Sequence, residues 1–112
     1  MDRRSTLCDL VELQRPLDEI LLNLNRLPWD SEVALVALEQ QHIASVLRRY
    51  CDNQLSSGDV EVWANAIEGR DDITYEPSST SGRLLHELAN PRLTAPLTPE
   101  RAAELLDLIS RR

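Results

Sequence analysis

The chain has 112 residues and a formal net charge of −7. This length is sufficient for one domain, which buries roughly two-thirds of the surface of its unfolded chain. The negative charge argues against binding to a nucleic-acid backbone, because that affinity comes largely from cations that displace counterions. All 12 basic residues are arginine, and without lysine both Schiff-base chemistry and a P-loop lysine are excluded. The bias toward arginine, leucine and alanine is typical of a GC-rich bacterial genome.

The sequence also bears on the compartment of the protein. No apolar run approaches the roughly 20 residues that a membrane-spanning helix needs, and acids stand near the N-terminus where a signal peptide needs an apolar stretch. We therefore expect a cytoplasmic protein. Cys8 and Cys51 fall in helical patterns without CxxC spacing, which predicts small buried hydrophobic residues rather than a disulfide.

The first predicted element covers residues 7–24, where apolar residues recur with a helical period that is interrupted at Gln14 and Pro16. One kinked helix or two shorter ones would fit this pattern. Pro16 removes a backbone hydrogen bond and suits the first turn of a new helix, so we favour a kinked or two-piece hairpin. The motif LPWD at 27–30 then ends one helix at Pro28 and caps the next with Asp30.

The longest uninterrupted periodic segment covers residues 31–53 and predicts the central packing helix. Its apolar positions are Val33, Leu35, Val36, Leu38, Ile43, Val46, Leu47 and Tyr50. This face is broader than one packing partner would cover. It motivates a second functional hypothesis, a homo-oligomeric structural or regulatory helical module, with a homodimer as the simplest case.

A short helix is predicted at 58–68, begun by a cap at Ser56 or Ser57 and ended by Gly69 in the left-handed conformation. Its core-facing stripe has the i, i+3, i+4, i+7 spacing and consists of Val60, Trp63, Ala64 and Ile67.

An acidic segment begins on this helix and continues beyond it. Between Asp59 and Glu76 there are six acids and one arginine, Arg70. Acids near a helix C-terminus meet the negative end of the helix dipole, at a cost of up to about 1 kcal/mol. A solvated loop is one reading of the cluster. The other is a surface for an electropositive partner, and its predicted contact residues are Glu68, Asp71, Asp72, Tyr75 and Glu76.

The C-terminal third of the chain predicts two more helices. Ser79, Thr80 or Ser81 caps the first, which carries several leucines and ends at Asn90-Pro91, and Thr98-Pro99 starts the second. Strand-like alternation lasts only a few residues, and its best candidate is 73–75. The sequence thus predicts an all-α fold, a single helical domain over residues 1–112 built as an irregular bundle of about five helices.

The sequence contains no specific signature of a catalytic site. Glu39 and His42 have the E-x-x-H spacing of carboxylate-bridged di-metal bundles, but Arg83 occupies the matching position before His86, so the second half of the motif is missing. The Asp71-Asp72 pair lacks the spaced ligands and turn glycine of a calcium loop. We therefore expect no catalytic residue, no metal and no cofactor, and we expect His42 on a partly exposed helix face.

The stretch DDITYEPSS followed by RLLHELAN resembles the small acidic helical immunity proteins of bacterial nuclease toxins. In the colicin-nuclease immunity family, an acidic helix precedes a segment with aspartate and tyrosine that ends in Pro-Ser, and these residues bind the basic toxin. The resemblance covers less than a fifth of the chain and makes Asp72, Tyr75, Pro77 and Ser78 the counterparts. This chain has one tyrosine where that family has an adjacent pair, and it is longer.

The stretches WANAIEGRDDITYEP and LLHELANPRLT are also similar to those of small bacterial proteins encoded beside polymorphic or contact-dependent toxins. Together these resemblances imply a cytoplasmic immunity protein that blocks a cognate, basic protein toxin, with no nucleic-acid or membrane partner. Trp63 would then support the site from the core, and Asp71, Asp72, Tyr75 and Glu76 would contact the toxin.

Overall fold

The computed structural model describes residues 3–27, 35–68, 70 and 72–110. Six helices and two short strands make up this part of the chain. The helices are α1 (Arg3–Glu12), α2 (Leu17–Leu24), α3 (Gln40–Cys51), α4 (Ser57–Ile67), α5 (Thr80–Ala89) and α6 (Pro99–Ser110). Strands β1 (Val36–Ala37) and β2 (Ile73–Thr74) pair in parallel, with Val36 opposite Ile73. The prediction of an all-α fold is confirmed, with six described helices in place of about five.

The bundle is built on α3 and α4, each of which packs against four other helices. Helix α3 contacts α1, α4, α5 and α6, and its side chains Ile43, Val46 and Leu47 are buried there. Helices α5 and α6 are joined by Arg101, which donates hydrogen bonds of 2.8 and 2.7 Å to the two carboxylate oxygens of Glu87. These hydrogen bonds raise the pKa of Arg101 above its ordinary value. The Cα radius of gyration is 13.4 Å, about what a compact chain of this length has.

The N-terminal segment forms two helices, as the interruption at Gln14 and Pro16 predicts. Leu13 has a φ of 51°, a left-handed conformation that ends α1, and Pro16 occupies the cap position of α2. The side chain of Arg49 stabilises this corner from α3, because its Nη1 donates a 2.7 Å hydrogen bond to the carbonyl oxygen of Leu13. Arg15 lies across the break and pairs with Asp9 at 3.1 Å and Glu19 at 3.0 Å.

The predicted helix over 31–53 is wrong for its described N-terminal part. Residues 36–37 form β1, and α3 begins only at Gln40. The backbone N–H groups of Leu35 and Val36 donate to the carbonyl oxygen of Asp72, and that of Leu38 donates to Thr74. These bonds to a segment far along the chain hold the strand in place. The predicted cap at Asp30 and the residues of 31–34 lie outside the described residues.

The structure also bears on the predicted strand and on the two cysteines. The strand candidate at 73–75 is confirmed, since Ile73–Thr74 is β2. The cysteines are free thiols, as expected, but Cys8 is partly exposed and Cys51 is exposed, so the prediction that both are buried is wrong. No helix within the described ranges is long and apolar enough to cross a membrane.

Candidate interaction surface

Helix α4 carries the candidate surface, and its sequence explains where it begins. Ser56 is the N-cap: its Oγ accepts the Asp59 N–H at 3.0 Å, and the Asp59 carboxylate accepts the Ser56 N–H at 2.9 Å. This reciprocal capping box satisfies two backbone donors at the start of the helix. Asp59 is therefore an exposed acid with a structural role.

The predicted stripe of α4 is confirmed, because Val60, Trp63, Ala64 and Ile67 are all fully buried. Trp63 Nε1 donates a 2.7 Å hydrogen bond to the carbonyl oxygen of Leu10, which satisfies the one polar group of the indole inside the core. Trp63 thus fixes α4 against α1, behind the acidic segment.

Asp72 does not lie on the surface. Its side chain is 0 % exposed and forms ion pairs with two arginines. Arg3 Nε donates to Oδ2 at 2.8 Å, while Arg70 donates from Nε to Oδ1 at 2.9 Å and from Nη2 to Oδ2 at 3.1 Å. Its carbonyl oxygen also accepts hydrogen bonds from the backbone N–H groups of Leu35 and Val36. The prediction that Asp72 contacts a partner therefore requires correction, because its carboxylate is enclosed within the protein in this structure.

The charge state of Asp72 follows from these contacts. Burial is the largest single influence and acts to raise the pKa of its carboxyl group. The hydrogen bonds and charges of Arg70 and Arg3 act in the opposite direction and together outweigh burial, so the pKa of Asp72 is lowered below its ordinary value. Asp72 is therefore buried and ionised. Its carboxylate joins α1 to the segment that precedes β2, and its backbone carbonyl joins that segment to β1.

Glu68 lies at the C-terminal end of α4 and is partly exposed. One carboxylate oxygen lies 3.0 Å from His86 Nδ1, and the other accepts a 3.0 Å hydrogen bond from Asn90 Nδ2. Both partners belong to the end of α5. Glu68 therefore links the C-terminal ends of α4 and α5, and its remaining exposed surface faces solvent beside them.

Tyr75 and Glu76 follow β2 and differ in burial. Tyr75 is partly buried and packs against the hydrophobic core, and Glu76 is exposed. Hydrogen bonds hold the loop that follows them against the start of α5. Ser79 Oγ donates a 2.6 Å hydrogen bond to the Glu76 carbonyl oxygen and accepts one from the N–H of Gly82. Ser79 thereby caps α5 and fixes the position of Glu76. Asp71 and Gly69 lie outside the described residues, so their predicted roles stay predictions.

Sequence reasoning missed a groove between α2 and α4. It has a volume of about 420 Å³ and is lined mainly by apolar side chains, with two asparagines and Arg70 completing the wall. Its apolar lining residues are Leu21, Leu24, Leu27, Val62 and Ala66. The sequence signal was Val62, an apolar residue off the buried stripe of α4. Because Arg70 lies between Glu68 and Asp72, the groove adjoins the acidic segment.

The E-x-x-H pair has a structural use. The backbone N–H of Glu39 donates a 2.9 Å hydrogen bond to His42 Nδ1 at the start of α3, the reverse half of a capping interaction. His42 is partly exposed, as expected. Across the residues that the structure describes, no group of three or more His, Cys, Asp or Glu side chains could hold a metal ion.

The described residues include exposed and partly exposed carboxylates, a partly buried tyrosine and an apolar groove. No protein-family model, curated protein or solved structure matches the chain.

Proposed function

We propose that this chain is a non-catalytic immunity protein that binds and neutralises a cognate basic protein toxin, of which a nuclease is the first candidate. The observation that carries the proposal is that Glu61, Glu68 and Glu76, on α4 and in the segment after it, are wholly or partly exposed on a chain of net charge −7. Acidic residues opposite a basic surface raise the association rate, and aromatic and apolar groups supply short-range affinity.

The proposed contact residues are Glu68, Asp71, Tyr75 and Glu76. Glu76 is exposed, and Glu68 and Tyr75 are partly exposed, with Tyr75 packed against the core. Asp72 takes a supporting role: its pairs with Arg3 and Arg70 hold the backbone that carries these residues. An inhibitor of this kind blocks its target either over the active site or beside it.

The first experiment is affinity capture from the source cell with the tagged full chain, at about 50 mM and about 500 mM salt. We expect a stoichiometric basic protein that the higher salt releases, and we expect the purified chain to abolish its toxic activity. Recovery of the chain alone, as an oligomer, would favour the homo-oligomeric module instead. In the described part of the apolar face that motivates this module, Ile43, Val46 and Leu47 are buried, and α3 packs against four helices.

The contact residues are tested with the captured partner and the double variant Glu68→Gln/Glu76→Gln, which removes two charges and nearly preserves side-chain shape. We expect the dissociation constant to rise about tenfold or more, as for interface hot spots. The control Glu12→Gln/Glu100→Gln removes two exposed charges from α1 and α6, and we expect a change of about twofold or less. Equal effects of the two double variants would contradict this site.

A further inference from the structure

Glu68, His86 and Asn90 form a hydrogen-bonded cluster where the C-terminal ends of α4 and α5 meet. His86 Nδ1 lies 3.0 Å from Glu68 Oε2 and 3.2 Å from Asn90 Nδ2. Asn90 Nδ2 also lies 3.0 Å from Glu68 Oε1 and 2.9 Å from the backbone carbonyl oxygen of His86. The role of the ring nitrogen Nδ1 depends on which of its two neighbours it bonds.

The hydrogens of Asn90 decide between these two neighbours. A side-chain amide nitrogen carries two hydrogens, and its two shorter contacts, to Glu68 Oε1 and to the His86 carbonyl oxygen, use both. His86 Nδ1 therefore carries its own hydrogen and donates it to Glu68 Oε2, because a lone pair on Nδ1 would face the lone pairs of that oxygen at 3.0 Å. Neutral His86 is thus the Nδ1–H tautomer.

The other ring nitrogen of His86 is the atom that accepts a further proton. Because Nδ1 already carries a hydrogen, Nε2 holds the free lone pair of the neutral ring. The side chain is 56 % exposed, and its hydrogen bonds within the described part of the chain are those of Nδ1. A proton from solvent can therefore reach Nε2, and it places a positive charge on the ring that contacts the Glu68 carboxylate.

The charged groups around His86 come from α4 and from α5 itself. Glu68 contacts the ring from the end of α4, and Arg83 is exposed one helical turn earlier on α5. Glu87, the next residue along α5, is held by two hydrogen bonds from Arg101. Helix α3 also packs against α5, but none of its described charged side chains forms a hydrogen bond or ion pair with His86. Glu68 attracts a proton on His86, and Arg83 repels it.

We infer that proton uptake by His86 regulates binding of the basic partner at Glu68. The inference rests on the proposed function and deepens it, because it makes one proposed contact residue sensitive to pH. Histidine side chains ordinarily change charge between about pH 5 and 8. With His86 neutral, the carboxylate keeps its full charge for a cation of the partner. With His86 protonated, the imidazolium offsets that charge and repels the cation, so binding weakens as the pH falls.

The tautomer of His86 is tested on the free chain, without any partner. Long-range proton–nitrogen NMR of the nitrogen-15-labelled full chain, at about pH 8, identifies the protonated nitrogen of each neutral ring. We expect Nδ1–H at His86. The other histidine, His42, is the internal control and should be Nε2–H, because its Nδ1 accepts the Glu39 N–H at 2.9 Å. Glu68→Ala should release His86 from the Nδ1–H form, and an Nε2–H tautomer at His86 in the native chain would overturn the inference.

The regulation is tested by measuring the dissociation constant of the captured partner at about pH 7.5 and about pH 5.5. Asp72, whose pKa is lowered, stays ionised at both values. We expect acidification to weaken binding of the native chain about fivefold more than that of His86→Gln. His42→Gln is the matched control and should keep the native response. The partner's own titrating groups are the same in all three measurements and cancel in the comparison.

The outcomes separate the inference from the proposed function. A captured basic partner whose binding responds to pH equally with the native chain and with His86→Gln leaves the immunity function in place and overturns the regulation. An equal loss of the response in His86→Gln and His42→Gln also overturns it, because the effect is then not specific to the contact with Glu68. Failure to capture any basic partner removes the proposed function, and the regulation with it, whatever the tautomer of His86.

Discussion

At Asp72 one residue joins three parts of the protein that are distant in sequence. Its carboxylate binds Arg3, 69 residues away, and Arg70, and its carbonyl oxygen accepts hydrogen bonds from Leu35 and Val36. Removing one partner of a buried ion pair leaves an uncompensated charge and costs about 3 to 5 kcal/mol. One of the five residues that the sequence predicts to contact a partner is therefore a residue whose loss should damage the fold.

We predict that Asp72→Asn lowers the free energy of unfolding by about 3 kcal/mol, measured by urea denaturation and circular dichroism at neutral pH. Because the folded state lowers the pKa of Asp72, its contribution is complete above the ordinary value of about 4 and is lost as the pH falls through the lower folded value. The variant should therefore lose less stability than the native protein on acidification. Asp52→Asn, at an exposed acid, is the control and should change stability by about 0.5 kcal/mol or less.

Trp63 gives a second prediction for a single residue. Phenylalanine fills part of the indole site but cannot donate to the Leu10 carbonyl oxygen, which Trp63 Nε1 reaches at 2.7 Å. We expect Trp63→Phe to lower the free energy of unfolding by about 1 to 3 kcal/mol, from the lost hydrogen bond to the Leu10 carbonyl oxygen and the lost core contacts together. Chemical denaturation followed by circular dichroism measures it. A neutral result would show that the Leu13 N–H, which donates to the same carbonyl oxygen at 3.2 Å, is sufficient for it.

The helices that were predicted correctly from the sequence are those with several local signals, such as a cap residue and a complete apolar period. Helix α4 has a complete apolar period, a serine cap and an acid three residues later, and it was predicted correctly. The run Leu35–Leu38 has leucine and β-branched or small residues that fit a helix or a strand equally, and pairing with β2 decided between them. Those partners lie more than 30 residues away, so no local pattern could reveal them.

The same limit explains the outcome for the candidate site. In the sequence between Asp59 and Glu76, Arg70 is the one cation that could pair with Asp72. The second partner, Arg3, approaches only because α1 packs against β1 and α4. The groove likewise exists only once α2 lies beside α4. Exposed acids such as Glu76 could be identified from the sequence, whereas the burial of an acid and the shape of a groove depend on tertiary packing.

The start of α5 provides a prediction for an element. A Cβ added at Gly82 would lie 2.7 Å from both Cα and the carbonyl oxygen of Pro77, which belong to the loop that carries Glu76. Alanine favours a helix over glycine by about 1 kcal/mol, but a backbone clash of this kind costs about 1 to 3 kcal/mol. We expect Gly82→Ala to lower the melting temperature and to move the amide resonance of Glu76.

Gly58 is the matched control for this helix-start effect. It lies in the first turn of α4, where an added Cβ would meet only Ser56 Oγ at 3.7 Å, an ordinary contact. We expect Gly58→Ala to stabilise the protein by up to about 1 kcal/mol, in the same denaturation measurement. If both variants change stability equally, the close approach of the 76–77 backbone to α5 does not constrain the protein.

At the scale of the whole molecule, a net charge of −7 acts on a basic partner before any contact forms. This long-range attraction accelerates association and is screened beyond about 8 Å at physiological salt. Contacts at the interface mainly determine how long the complex lasts. The two effects can therefore be separated by measuring rates rather than affinity alone.

We predict that association with the captured partner slows by about tenfold or more as salt rises from about 20 to about 300 mM, while dissociation changes little, measured by stopped-flow fluorescence. Removing two distant charges with Glu12→Gln/Glu100→Gln should slow association slightly and leave dissociation unchanged. Glu68→Gln/Glu76→Gln removes the same number of negative charges, yet it should also speed dissociation, because these groups are proposed to touch the partner. If both double variants alter association alone, the segment at 68–76 acts only through its charge at a distance, and the contacts that hold the complex must lie elsewhere on the protein.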